Sequence, residues 1–521
     1  MGGFWVVRRH SKWRPVWSAW KGSVAMKSLR AEIDVSQEDV PLPEVRLGRF
    51  TWRQVILLLG GWLVIFAVGS VFVSNPFITE ASAGATPNYG NVMYLHALLI
   101  GLVGLVGLVT CEVFKLRSRL VRTGILAAAV GATVLTGLGG IFDTTVSSSV
   151  SIWLILHVIG FFLLDAIFLL LFVGFYLEWR QRSPRVWKLT FGLAALAALS
   201  LEFAAAMGHI AGWILDFGDH PRLIGSWATA MGETVGDLRN NLITSHSHEM
   251  VVALLALIVA LAAERFGYQA LSGGRRTLAR VGMWLAVAGT ALMTIQYVVG
   301  GVTSHEPPTL FRSGPGGVNG LASDDLVTGL GVMLGGLLVL LALVAGRNNG
   351  KGKISESRRA SSLGIAWSWL LLFVTVPVAG YYIELNEKTF GAGSPAPRAV
   401  SDGIFTWFHQ DFAFFLLPAL MVLMLIADLY LTEKASRLTM QGILLGTLVI
   451  FVGFMTYVFV SPVIYGAGYV LVAVGSIVTA LAVGRFLWEL QHQIGLSRDT
   501  DRTNDENPGN FSGSIIEIPH P

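Results

Sequence analysis

Apolar runs recur along the whole chain, and short polar, glycine-containing or charged stretches separate them. A bilayer core takes about 20 apolar residues per helix. Twelve runs have that character: 54–74, 91–113, 121–142, 150–177, 188–214, 243–264, 279–302, 325–346, 363–384, 404–430, 439–461 and 466–488. They predict an all-α polytopic membrane protein with about twelve transmembrane helices. Residues 1–53 form a cytoplasmic N-terminal segment, 54–488 the membrane domain, and 489–521 a polar cytoplasmic tail. The part of the tail from Leu496 to Pro521, rich in Asp, Asn and Gly, reads as disordered.

Composition narrows the function classes. Of 521 residues, 53% are hydrophobic and only 13% charged, and the mean hydropathy is +0.63. A soluble protein carries about 25% charged residues, so a soluble enzyme, a disordered chain and a nucleic-acid binder are excluded. The single cysteine, Cys111, excludes a disulfide framework and a cysteine-based zinc or iron–sulfur site, and no Cys-x-x-Cys-His occurs. The 59 glycines permit close helix packing. The run Gly-Leu-Val-Gly-Leu-Val-Gly-Leu-Val at 101–109 reads as such a packing surface.

Charge sets the orientation. With a cytoplasmic N-terminus and twelve spans, 32 of the 37 Lys/Arg fall on the inner side. Only Arg222, Arg239, Arg312, Lys388 and Arg398 fall outside. Cytoplasmic loops of membrane proteins carry this excess, so both termini are expected in the cytoplasm of a cell with the protein in its inner (plasma) membrane. The pI near 9.1 then reflects orientation, with no call for nucleic acid. Residues 1–53 do not read as a cleavable signal peptide. The outer side holds fourteen Asp/Glu against those five basic residues, a surface that favours cations or a basic partner such as a small cytochrome.

The eleven histidines are distributed unevenly. His10, His492 and His520 lie in the cytoplasmic ends. His96, His157, His209, His220, His246, His248, His305 and His409 all fall at or near the outer face. Ionisable residues in a membrane are costly and usually functional, and imidazole is the commonest side-chain metal ligand and a frequent axial ligand to haem iron. Several helices delivering imidazoles to one level would build a redox or metal site. The densest segment is Thr244-Ser245-His246-Ser247-His248-Glu249. His246 and His248 diverge by about 200° on a helix, so both reach one ion only if this turn is not helical. His246 and Glu249, three apart, share a helix face.

Two carboxylates read as intramembrane, Asp165 in the fourth span and Glu202 in the fifth. They must be neutral, paired or turned to an internal cavity. His157 and Asp165 are eight apart, and Glu202 and His209 seven apart, so each pair shares a helix face. A proton path through Asp165, Glu202, His157 and His209 is the functional reading. Helix-to-helix hydrogen bonding is the alternative.

Twelve helices, an inner N-terminus, and histidines at the outer ends of helices two, six, seven and ten resemble the catalytic subunit of the haem–copper oxidase and nitric oxide reductase superfamily. The residues that carry the likeness are Tyr94-Leu95-His96, His248-Glu249, His305-Glu306 and His409-Gln410-Asp411. The motifs are incomplete. Helix six lacks His-Pro-Glu and no tyrosine follows four residues after either histidine, Met250 and Val252 standing there. Glu306 replaces the second histidine after helix seven, and Asp411 replaces the second histidine of helix ten.

The resemblance implies a low-spin haem, b-type, held by His96 and His409. It implies a second metal, non-haem iron or copper, bound by His246, His248 and His305, with Glu249 and Glu306 as catalytic carboxylates. Hard carboxylates beside imidazoles suit iron better than copper. The implied activity is reduction of NO or O2 with electrons from a quinol or a cytochrome donor, with a possible additional membrane subunit. Outside the resemblance, the residues also allow a haem-free metal-binding membrane protein, a proton-coupled transporter, or a structural subunit. Transporters show broken helices in corresponding positions, whereas Pro377 and Pro418 are isolated.

Overall fold

The structure is a computed structural model. It describes residues 42–48, 50–73, 88–143, 152–181, 188–216, 223–232, 234–303, 320–344, 356–385, 412–431, 433–459 and 465–506. Residues up to Glu44 form one compact unit, of which 42–44 are described and carry no regular secondary structure. Val45–Pro521 form the other.

The second unit opens with a two-residue antiparallel pairing, Arg46–Leu47 against Phe50–Thr51. Thr51 then starts the first helix with a capping box. Its backbone N–H donates to Gln54 Oε1 at 2.9 Å, and the Gln54 N–H donates to Thr51 Oγ1 at 3.4 Å.

Among the described residues the unit contains twelve long helices. They are α1 (Trp52–Val73), α2 (Asn88–Val113), α3 (Arg119–Asp143), α4 (Ile152–Gln181), α5 (Leu189–Asp216), α6 (Val235–Arg265), α7 (Gly273–Thr303), α8 (Gly320–Val344), α9 (Glu356–Leu385), α10 (Leu417–Tyr430), α11 (Glu433–Phe459) and α12 (Tyr465–Glu506). A short helix, Leu223–Met231, precedes α6. Nine of the long helices carry described stretches long and apolar enough to cross a membrane, and Leu99–Val113 and Gly329–Val344 are shorter apolar stretches. The chain is therefore an all-α polytopic membrane protein. α12 runs on to Glu506, past the point where the sequence reads as disordered.

The helices pack by a rule that repeats every four. α1–α4, α5–α8 and α9–α12 each form an arc in which the first helix touches the second and third, the second touches the third and fourth, and the third packs along the fourth. The last helix of each arc meets the first of the next, α4 on α5, α8 on α9 and α12 on α1, so the ring closes. The second helices of the arcs, α2, α6 and α10, touch one another in the middle. Burial follows this plan: the apolar stretches of α6 and α10 are each 83% buried, against 39% for α4 and α12 at the perimeter.

Glycine makes the hairpins tight. In α3–α4, a Cβ at Gly160 would stand 2.9 Å from the Thr136 backbone N. In α7–α8, Gly282 and Gly335 lie against each other's carbonyls, and in α11–α12 Gly446 and Gly475 do the same. Small residues let backbones approach where lipid offers no hydrophobic drive for association. The glycines of 101–109 are packing positions as expected: Gly101 faces Trp62 of α1, Gly104 faces Ala129 of α3, and Gly107 faces Ile167 of α4. A three-residue step turns 300° around a helix, so the run serves three neighbours in succession.

Because the helices alternate in direction, the ends bearing Arg and Lys gather at one end of the bundle. Arg122 pairs with Glu112 and stacks its guanidinium 4.3 Å from the Trp52 ring centroid. Lys188 Nζ reaches Glu264 Oε1 at 2.9 Å, and Thr190 donates to the other oxygen at 2.7 Å. At the foot of α10, Asp428, its side chain 2% exposed, accepts from Arg265 Nε, and the same guanidinium donates to the Asp428 carbonyl at 3.1 Å. Arg358 of α9 lies 3.9 Å from the same carboxylate.

Removing one partner of a buried pair leaves an uncompensated charge and costs about 3–5 kcal/mol. Arg265→Leu is expected to lower the thermal midpoint of the detergent-solubilised protein markedly. The double variant Arg265→Leu/Asp428→Leu is expected to recover most of that loss. Thermal denaturation followed by circular dichroism measures both.

Candidate functional site

At the opposite end of the bundle from these ion pairs, five histidines are described: His96 on α2, His157 on α4, His209 on α5, and His246 and His248 on α6. The antiparallel order of the helices brings the first halves of α2, α4 and α6 to the level of the last turns of α5.

His96 sits in the middle of the group. Its ring centroid lies 6.3 Å from that of His157 and 6.3 Å from that of His246. Phe161 completes the cluster, 5.1 Å from His96 and 4.5 Å from His157, with both contacts edge-on. Two of these rings are oriented by backbone carbonyls. His157 Nδ1 lies 3.1 Å from Thr136 O, and His246 Nδ1 lies 2.8 Å from Ala204 O. A carbonyl only accepts, so Nδ1 carries the proton and Nε2 carries the lone pair in each neutral ring. Orientation through the other ring nitrogen is what a metal-ligating histidine requires. Gly208 makes room for His246: a Cβ there would meet Nδ1 at 2.5 Å.

His246 and His248 go different ways. α6 is already helical from Val235, so the two side chains diverge as the helical geometry demands. His246 turns toward α5 and His96. His248 stacks on Tyr297 of α7, ring centroids 5.8 Å apart and planes 5° apart. A single ion shared by both is not compatible with this helix. Among the described residues no three His, Cys, Asp or Glu side chains gather closely enough to hold a metal ion.

The acids also pair differently from the same-helix expectation. His157 and Asp165 lie on one face of α4, but eight residues span about 12 Å, too far for contact. Asp165 instead meets the histidine of the neighbouring helix, its Oδ2 3.2 Å from His209 Nε2. His209 Nδ1 donates to Ala205 O at 2.8 Å. Asp165 Oδ1 and Glu202 Oε2 are buried atoms with no hydrogen-bond partner among the described residues.

No family model, no curated protein and no solved structure matches the chain. The geometry therefore stands on its own.

Glu249 is buried on α6 beside Thr294 of α7. Neither of its oxygens is in hydrogen-bond geometry with a described residue. The Thr294 and Ser200 hydroxyls are 2.7 Å apart, linking α7 to α5 next to this carboxyl. His305, Glu306, His409 and His220 lie outside the described residues. The chain thus brings together His96, His157 and His246, joins Asp165 to His209, and sets His248 and Glu249 toward α7. Thr136, Ala204, Phe161 and Tyr297, which orient or contact the rings, carry no signal in the sequence, because their roles depend on which helices are neighbours.

Gly208→Ala is expected to push the His246 ring off the Ala204 carbonyl. Its rate of modification by diethylpyrocarbonate, mapped by peptide mass spectrometry, should rise severalfold while that of His209 changes little.

Proposed function

We propose that this chain is an integral membrane oxidoreductase of the haem–copper oxidase and nitric oxide reductase type. It reduces a small diatomic molecule, NO or O2, with electrons from a quinol or a cytochrome. All twelve helices cross the plasma membrane and both termini lie in the cytoplasm, a reading supported by the Lys/Arg distribution.

The observation that carries the proposal is the central trio. The resemblance needs helices two, six and ten to share one site, and α2, α6 and α10 are mutual neighbours at the middle of the ring. The donor type suits iron, since imidazole is a frequent axial ligand to it, and His96 lies in the central group. His96 and His409 hold the haem, which supplies a one-electron carrier when bound. For the second metal, the divergence on α6 separates His246 from the set. His248, stacked on Tyr297 of α7, joins His305, which follows α7, with Glu249 or Glu306 as the carboxylate.

The remaining groups handle protons. Glu249 stands buried beside Thr294, in position to pass a proton to substrate on the α6–α7 side. The His209–Asp165 pair, with Glu202, holds protons at the α4–α5 junction.

The test is a reduced-minus-oxidised spectrum of the purified protein. Wild type is expected to show a Soret band and a low-spin α-band. His96→Ala and His409→Ala should each remove the same low-spin band. Purified protein without any Soret band overturns the proposal.

A further inference from the structure

At the end of the bundle rich in Arg and Lys, several basic side chains have a carboxylate of the protein beside them. Arg122 has Glu112, Lys188 has Glu264 and Arg265 has Asp428. The start of α7 differs. Arg275, Arg276 and Arg280 fall close together there, and no Asp or Glu occurs from Arg265 to His305. Among the described residues none of these three arginines forms an ion pair. Arg276 and Arg280 are exposed.

The face beside them belongs to lipid. Val281, Trp284, Leu292 and Ile295 are all exposed, and on a helix they lie within about 80° of one another. In a bundle that spans a membrane such a stripe meets acyl chains. Arg276, Arg280 and Trp284 follow one another at four-residue steps along one flank of the stripe, about 6 Å apart along the axis. The other flank is closed by α8, where Gly282 lies against the Gly335 carbonyl. Arg280 stands about 10 Å along the helix from Gly273. At that level its aliphatic stem lies along apolar surface and its guanidinium reaches the headgroups, and tryptophan prefers the same depth. Tyr268, in the turn Tyr268–Ala270 between α6 and α7, is close enough to both guanidiniums to feel their charge. Burial pushes its phenol above the ordinary value while Arg280 and Arg276 pull it back, so it remains a neutral hydroxyl able to donate. The entry to the helix is open: a Cβ at Gly273 or Gly274 would meet nothing within 4 Å.

We propose that Arg276, Arg280 and Trp284, with Tyr268, form a docking surface for an anionic phospholipid of the phosphatidylglycerol type. The guanidiniums of Arg276 and Arg280 present paired N–H donors to the phosphodiester oxygens. The Trp284 ring lies along the glycerol and the first acyl carbons, and the chains continue down the stripe past Leu292 and Ile295. The surface selects for net charge, because a zwitterionic headgroup would bring its own cation to the arginines. The lipid thus supplies the counter-charge that the chain lacks between Arg265 and His305. Free phosphate carries the charge without the chains, and the exposed Val281 and Trp284 favour the lipid. The surface is independent of the redox reading above.

The test uses the full-length protein in detergent, with lipid adducts followed by native mass spectrometry. Dioleoylphosphatidylglycerol and dioleoylphosphatidylcholine are titrated separately. Wild type is expected to bind the first about tenfold more tightly, and Arg276→Gln and Arg280→Gln each to weaken it about fivefold while leaving the second unchanged. Lys434→Gln, which removes an exposed charge at the start of α11 on the same end of the bundle, should bind like wild type. Inorganic phosphate should not displace the lipid. A further measurement needs no arginine variant. In nanodiscs, phosphatidylglycerol brominated on its acyl chains is expected to quench wild-type tryptophan fluorescence more than brominated phosphatidylcholine, and Trp284→Phe should lose that excess. Equal affinity of wild type for the two lipids, unchanged binding in both arginine variants, or an equal loss in Lys434→Gln overturns the surface. So does excess quenching that survives Trp284→Phe. Displacement by inorganic phosphate overturns the lipid as its occupant.

Discussion

A polar side chain inside a bilayer must find its partner within the protein, because lipid offers none. That constraint shapes both ends of this molecule. At the end rich in Arg and Lys, carboxylates are matched across helices: Glu112 with Arg122, Glu264 with Lys188, Asp428 with Arg265 and Arg358. At the other end the partners are imidazoles and backbone carbonyls. Thr136 O, Ala204 O and Ala205 O each hold one histidine ring by Nδ1. The two ends use the same rule with different chemistry, one to join helices and one to orient imidazole rings.

The ring of three arcs turns this local rule into a site. Its hairpins are closed by glycine, so α3–α4, α7–α8 and α11–α12 are stiff units that frame the perimeter. The helices left to meet at the centre are α2, α6 and α10, and two of them, α2 and α6, carry His96 and His246 of the central cluster. α6 is apolar and buried from Met250 to Ala263, and His246, His248 and Glu249 stand just before that stretch. Helical geometry then divides them. His246 belongs to the α2–α5 side, and His248 and Glu249 to the α7 side, so the turn serves two neighbouring environments. Phe161 likewise has two faces of contact, the inner histidines and His209.

Much of this was legible in the chain itself. Runs of apolar residues long enough to cross a bilayer, a one-sided Lys/Arg distribution and histidines gathered on the opposite side follow from composition and spacing, because lipid selects helices by length and hydropathy alone. The glycines of 101–109 could be read as packing positions for the same reason. The pairing of the groups could not be read. The expectation that Asp165 lies beneath His157 used the only distance a sequence offers, the spacing along one helix. Two turns exceed hydrogen-bond reach, and the antiparallel neighbour supplies His209 at the right level instead. Which carbonyl orients His246, which ring His248 stacks on, and that α2, α6 and α10 meet at the centre are all decided by helix order in space. Sequence position carries no record of that order, since in an apolar medium many helix neighbours are equally soluble and only close packing at small residues chooses among them.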